Sequence, residues 1–463
     1  MKKIIAIIIA VLAIFLVVPK FFAQPISHHL DTIVKQLDST PGYQVSIAER
    51  TSNWFTSSAV LSVKVDANAF VAPNDDKDNS AAFQHLSANI TLNIQHGPIL
   101  IADGLSLGLA AWTIETENSL LRKKLVYADT QSLYSIYGAT DFFGNNSFND
   151  EIAAFSTIGD TEVKFSGWLG QGSLSLDDSL YSASIDTIAF INSDTVATID
   201  NIELKINTDS NWLMMLDNPL YNSTVTFSID SASINSPDSM PITLDKLIIG
   251  AQTQVKNNGT LMDVSNNYAF NKIESHDLLI NDFILDLQIN NLEKEFLKAY
   301  QNIMQNPEGL EKGLQHIVQN NLLAQLQASP ELNIGELSVN INGYNFSGSL
   351  ISKINNVQAL PTRLDDPKFW SHHTNASSNI KIDKALVLLL GEFMLLPQFA
   401  RNQNTRKLSL SERKAMIAGQ VKGMIYALMS QGILVENASS YESSMLLNKG
   451  VATLNGQIMP PPF

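Results

Sequence analysis

The residues that could do chemistry in this chain are few and scattered. Its eight histidines are His28, His29, His85, His96, His276, His316, His372 and His373. The two adjacent pairs invite a metal reading. Neighbours, however, point to opposite faces of a strand and about 100° apart on a helix, so such a pair rarely chelates alone. Neither an HExxH nor a His-x-His accompanies them, and solvated surface is the expected setting. There is no cysteine, which removes disulfides, thiol catalysis, iron–sulfur clusters and cysteine zinc sites. Gly170-Gln171-Gly172-Ser173 has the composition of a nucleophile elbow in the wrong order. P-loops and GxGxxG fingerprints are missing. Asp75-Asp76, Asp177-Asp178 and Asp365-Asp366 stand beside Asn, Ser or Pro, and they read as turn residues. A glycosidase needs only two carboxylates, and their spacing in sequence does not pair them in space. The expectation is a protein that is not an enzyme and carries no metal or cofactor.

Two groups of apolar side chains remain as candidate ligand contacts. Trp54-Phe55 lies in a strand-period segment. One ring there is expected to face the core and the other to face outward. Met416, Met424 and Met429 lie on one expected helix. Their flexible, polarizable side chains suit a wall that meets varied apolar ligands, or simply fill a closed core.

Composition sets the frame for these groups. The chain has 463 residues, 45% of them apolar, enough for a sizeable core. Charged residues make up 16%, against about 25% in an average soluble protein. Asn, Ser and Thr take up the polar share, which suits strands and turns. The formal charge of −15 argues against nucleic acid, because phosphate binding needs Lys and Arg.

The N-terminus reads as an export signal. Lys2 and Lys3 precede an unbroken apolar run from Ile4 to Val18. Those 15 residues are short of the roughly 20 that span a bilayer. Pro19 to Ala23 restore the length, with Lys20 able to snorkel. The expectation is an uncleaved signal anchor over 1–23. Cleavage after Phe21-Phe22-Ala23 is the alternative, and it would place a bulky residue where a small one is preferred. In both cases the body is exported. Beyond residue 24 the chain holds 27 basic and 45 acidic residues, a net of −18. Such a surface is repelled by anionic lipid.

The elements follow from periodicity. Pro25 to Thr40 is a short amphipathic stretch with Ile26, Leu30, Ile33, Val34 and Leu37 at helical spacing. From Tyr43 the period becomes two, with two strands around a turn near Thr51 to Asn53. Further strands are expected at 86–95, 99–109, 121–128, 163–169 and 173–176. From about 180 a loose repeat appears in SIDTIAF, TIDNIEL, TLDKLII, LINDFIL and NIGELSV. Each reads as a strand entered through a turn or bulge at its Asx or Gly. Two helical insertions interrupt the pattern. The second contains the nearly all-apolar run Ala385 to Pro397, a buried core helix or a membrane-touching or groove-lining one. It continues into a helix opened by a capping box at Ser409 and Glu412.

Three segments carry a resemblance. GYQVSIAERTSNWFTSSAVLSV from Gly42, LQINNLEKEFLKAYQNI from Leu287 and QGILVENASSYESSMLLNKGVATLNGQIM from Gln431 resemble the YdgA-like family of exported bacterial proteins. Asn53 stands where that family has Gly, while Gly432 and Asn455-Gly456 match its closing hairpin. The chain is also loosely similar to AsmA-like envelope proteins, whose long sheets form hydrophobic grooves. The resemblance implies an anchor in the inner membrane of a Gram-negative bacterium, crossed once, with the C-terminal body in the periplasm.

The expected fold is α+β, mainly β. It consists of a long curved antiparallel meander sheet with two helical insertions packed on it, plus an N-terminal transmembrane helix. Residues 24–463 form a single family-length periplasmic unit. It is β-rich over 41–290, helical over 291–328, β over 331–360 and helical over 383–431, with a closing β-hairpin at 433–460. The expected function is a membrane-anchored, non-catalytic envelope protein binding lipid or another apolar ligand along a sheet groove. The alternative is a structural or assembly partner, presenting sheet edges and helices to envelope proteins or to a second copy of itself.

Overall fold

The computed structural model describes residues 30–31, 34–35, 37–38, 42–65, 86–101, 106–117, 122, 125–128, 131–159, 161–210, 220–237, 239–304, 310–401 and 405–459. The signal anchor expected over 1–23 lies outside them, as do His28, His29, His85 and Asp75-Asp76. Among the described residues no helix is long and apolar enough to cross a membrane. Strands take up 57% of the described residues, and every pairing between them is antiparallel. The chain divides into two compact units, at residues 1–212 and 213–463.

The first unit is a meander. Its main strands are Tyr43–Ser52, Thr56–Val65, Leu86–His96, Ala110–Glu117, Tyr134–Thr140, Asn146–Ile152, Trp168–Leu174, Ser179–Ile191 and Val196–Thr208, each paired with the next. Three of these, at 110–117, 134–140 and 146–152, fall outside the strands expected from periodicity. Gly138 and Asp150 interrupt the apolar alternation of the last two and so hide them. The first hairpin turns later than expected. Ser52 opposes Ser57, and the Asn53 N–H donates to the Thr56 carbonyl. Residues 30, 31, 34, 35, 37 and 38 are helical, and Val34 is buried with Val45 and Leu61.

The second unit is another meander, through strands Ser223–Ser236, Ser239–Lys256, Leu261–Ser275, Leu278–Glu293, Glu331–Ile341, Tyr344–Ile354, Thr374–Asp383, Ser440–Asn448 and Val451–Leu454. Its tight turns use Asn and Gly at positive φ, as two-residue hairpins require. Asn342 and Gly343 sit at 51° and 85°, Asn455 and Gly456 at 51° and 78°.

The helices leave this unit at opposite strand ends. Lys294–Met304, Leu310–Asn320 and Leu322–Gln327 connect strand 278–293 to 331–341. Lys384–Arg401 and Leu410–Ser430 connect strand 374–383 to 440–448 at the other end. A short helix not expected from the sequence, Pro367–His373, carries the His372-His373 pair. Each insertion is held by helix-on-helix packing through a glycine. A Cβ on Gly391 would fall 2.4 Å from Val421, and one on Gly313 would fall 2.6 Å from Ile303. The expected capping box is present, with the Glu412 N–H donating to Ser409 Oγ and the Ser409 N–H to the Glu412 carboxylate.

The repeated Asx positions are not strand entries. Asn201, Lys246 and Asp282, each one residue after the repeat's Asx, have φ of 52°, 55° and 52° in the middle of long strands. At Asn201 and Lys246 the ladder drops one residue from each strand and keeps its register, so these are local breaks rather than bulges. Asp282 also lies where the register shifts against strand 331–341, as a bulge requires. Lys246, Asn271 and Asp282 fall in one row across three adjacent strands.

Candidate functional site

The register of the second unit sorts its side chains onto two faces, because directly opposed residues on antiparallel strands point the same way. One row runs Phe227, Ile249, Tyr268, Leu285, Leu337, Gly348, Ile380, Ser443 across eight strands. At about 4.8 Å per strand that row spans about 34 Å. Two residues along the strands, Ile229, Leu247, Phe270 and Phe283 form another row, in which the last two rings stack 4.9 Å apart. On the other side of the first row stand Val225, Ala251, Asn266, Leu287, Ile334 and Leu350, apolar except for Asn266.

None of these side chains is buried, and Ile380 is exposed. A second layer packed face to face would drive such residues below a tenth of their free exposure. The second unit therefore carries a broad, mainly apolar face, interrupted at Asn266 and Ser443 and partly open to water. Helices stand at both of its ends. Lys384, the first residue of its helix, places its ammonium 5.6 Å from the Tyr441 ring. At the far end the Gln325 side chain receives the Glu293 N–H and donates to the Asn291 carbonyl.

The opposite face is mixed: Ile248, Ala269 and Ile284 stand in register with Ser338, and the exposed Ile351 and Leu446 lie on it beside its polar rows. Thr226, Gly250, Asn267, Asp286 and Glu336 form one row, with Asn267 donating to Asp286. Ser338, Ser347, Lys381 and Glu442 form another, with the last two 3.0 Å apart as an ion pair. A hollow of about 640 Å³ lies on this side, lined by Ser347, Ser349, Asn379, Lys381, Glu442 and Asn455 among others. Its hydroxyl and amide walls suit a polar occupant.

The candidate residues taken from sequence are not brought together. Trp54 and Phe55 stand in the hairpin turn of the first unit rather than on a strand, and both are exposed, at 43% and 47%. The expected division into one buried and one exposed ring does not occur, because a turn does not alternate faces. Met416, Met424 and Met429 lie on the Leu410–Ser430 helix of the second unit. Met416 and Met424 are exposed at 48% and 58%, and Met429 is half-buried. None of the three lines the hollow, so this helix does not wall it. What the helix buries against its neighbour is Ile417 and Val421.

Sequence reasoning missed two buried titratable groups in the first unit. Asp150 is 6% exposed, in a row with Ile114, Ile136, Gly170 and Ala183. Its carboxylate accepts from Trp168 Nε1 at 2.8 Å and from the Tyr181 hydroxyl at 2.9 Å. Burial, and then Asp150, push the Tyr181 hydroxyl well above the usual tyrosine range and raise that of Tyr134. Gly170 makes room for this cluster, since a Cβ there would meet Asp150 Oδ1 at 1.9 Å. With both oxygens occupied by neutral donors, Asp150 is a structural acceptor on an otherwise apolar face. Every partner comes from a different strand, so no local signal marks it.

His96 is the other. It is 1% exposed, contrary to the solvated setting expected for the histidines. Its Nε2 lies 3.0 Å from Ser57 Oγ and its Nδ1 3.4 Å from the Trp54 carbonyl. Burial lowers its pKa, with the Trp54 carbonyl opposing. The pair resembles a serine–histidine dyad in composition, but a carbonyl rather than a carboxylate faces Nδ1. His372 and His373 stand edge to face 5.3 Å apart, and His373 Nδ1 is 2.9 Å from the Asn355 carbonyl. Among the described residues no group of three or more His, Asp or Glu could hold a metal ion.

Neither a curated protein nor a solved structure matches the chain. A family match extends over residues 1–462, through both units and both helical insertions. The chain belongs to the family described as bacterial protein of unknown function (DUF945).

Proposed function

We propose that this is a non-catalytic protein of the bacterial cell envelope that holds the acyl chains of a lipid along the apolar face of its second unit. The observation that supports this reading is the open register of Phe227, Ile249, Tyr268, Leu285, Leu337 and Ile380, none of them buried. Contiguous apolar surface left partly open on this scale supports a ligand or partner site rather than ordinary surface. An extended acyl chain is a ribbon of CH₂ groups, each contributing about 0.8 kcal/mol when removed from water. The charged side chains of the opposite face, such as Lys381 and Glu442, can remain hydrated while the apolar one is covered.

The location belongs to the same proposal. A basic, apolar N-terminus supports a single-pass anchor in the inner membrane with the body in the periplasm. The resemblance to YdgA-like and AsmA-like proteins supports it as well. The test is purification of the full chain from membranes without denaturation, followed by lipid extraction and mass spectrometry. Lipid in stoichiometric amount is expected. Its absence, with a second protein or a second copy retained instead, overturns the lipid reading in favour of an assembly partner.

A further inference from the structure

The helix pair Lys384–Arg401 and Leu410–Ser430 combines two properties, a net positive charge and exposed apolar surface. The first is charge. Between residues 384 and 430 there are seven basic side chains and two acidic ones, a net of +5 in a chain whose total is −15. Lys384 pairs with Glu436 at 2.6 Å and Lys414 with Glu392 at 2.8 Å. Arg401, Arg406, Lys407 and Lys422 are exposed.

The second is exposed apolar surface. The helix Lys384–Arg401 is apolar almost all round, yet its one buried residue is Leu386. Leu390, Phe393, Met394 and Pro397 recur three or four residues apart and share one face. Phe393 is 48% and Met394 72% exposed. Arg401 ends the same face, four residues after Pro397. On the partner helix Met416, Met424 and Tyr426 are exposed as well. An apolar stripe ended and flanked by basic side chains is the chemistry of a helix lying in a lipid interface, with arginine and lysine stems reaching up to the headgroups.

We infer that this helix pair docks on an anionic lipid surface. The remaining chain, at −20, is repelled by such a surface. Beyond the basic segment at 1–24, contact is therefore directed to this segment of opposite sign, and the charge separation orients the body. This contact is separate from the lipid proposed to lie along the sheet, and either can fail alone.

The absence of cysteine allows a clean test. Met394→Cys carries a single environment-sensitive fluorophore on the full chain. The labelled protein is placed in nanodiscs of phosphatidylethanolamine and phosphatidylglycerol, or of phosphatidylcholine alone. A blue shift is expected in the acidic discs and not in the neutral ones, and it should decline with salt. At about a fivefold change per basic side chain near an acidic membrane, the pair Arg406→Gln and Lys407→Gln should lower the docked-to-free ratio about thirtyfold. Both side chains are exposed, so the melting temperature should not move; Arg401→Gln with Lys422→Gln is the second variant. No shift in acidic discs overturns the inference. So does an equal shift in neutral discs, or a shift that tracks the number of protein copies per disc and thus reports self-association.

Discussion

Leu285 occupies the middle of the apolar face, opposed by Tyr268 on one side and Leu337 on the other. Replacing it with Asp separates an open face from a covered one. Complete burial of a leucine contributes about 1.5–3 kcal/mol, and Leu285 is only partly buried, so about 1 kcal/mol is at stake. The poor strand preference of Asp adds up to about 1 kcal/mol. On an open face the carboxylate reaches water and the cost ends near 2 kcal/mol. Under a second layer it would be an unpaired buried charge costing several kcal/mol more, a large share of the 5–15 kcal/mol typical of a domain. Ile417→Asp is the internal standard, because Ile417 is completely buried between helices. Urea titration followed by hydrogen exchange over 261–293 reports the second unit. Leu285→Asp should stay folded, with its midpoint lowered by about 1 M, and should lose its bound lipid. Ile417→Asp should lose its fold. If Leu285→Asp unfolds as completely as Ile417→Asp, the face is covered. If it stays folded and keeps its lipid, the ligand does not lie on that face.

In the first unit, Tyr181→Phe and Trp168→Phe each remove a donor to the Asp150 carboxylate. Each should cost about 1.5–3 kcal/mol, and the double variant should differ from the sum because both act on one acceptor; additive melting data would show the two bonds to be independent. His96 takes up a proton less readily folded than unfolded. Its contribution is therefore complete above the ordinary value of 6.5 and is lost as pH falls from there toward the lowered folded value. Melting temperatures between pH 8 and 5 should fall more steeply for the native chain than for His96→Gln, and parallel slopes would contradict this.

Much of the architecture is local and so legible in the residues alone. Strand periods of two, the Asn455-Gly456 turn and the capping box at Ser409 and Glu412 each depend on neighbours a few positions away. The low-charge, Asn- and Ser-rich composition already suited strands and turns. Other features depend on which strands meet. The Asx repeats supply residues tolerant of positive φ, but a turn and a mid-strand bulge ask for the same side chains. Only the ladder places Asn201, Lys246 and Asp282 within strands, and of the three it shifts register at Asp282 alone. Asp150 acquires its donors from strands that begin at Tyr134, Trp168 and Ser179, and no window of sequence contains them together. Trp54 and Phe55 lose their alternation because the hairpin turns at Asn53 rather than before it. The apolar alternation of Phe227, Ile249, Tyr268 and Leu285 is written in the chain. Whether anything lies over those side chains is set by distant segments, and here the helices close on each other through Gly391 and Val421 and leave the face open.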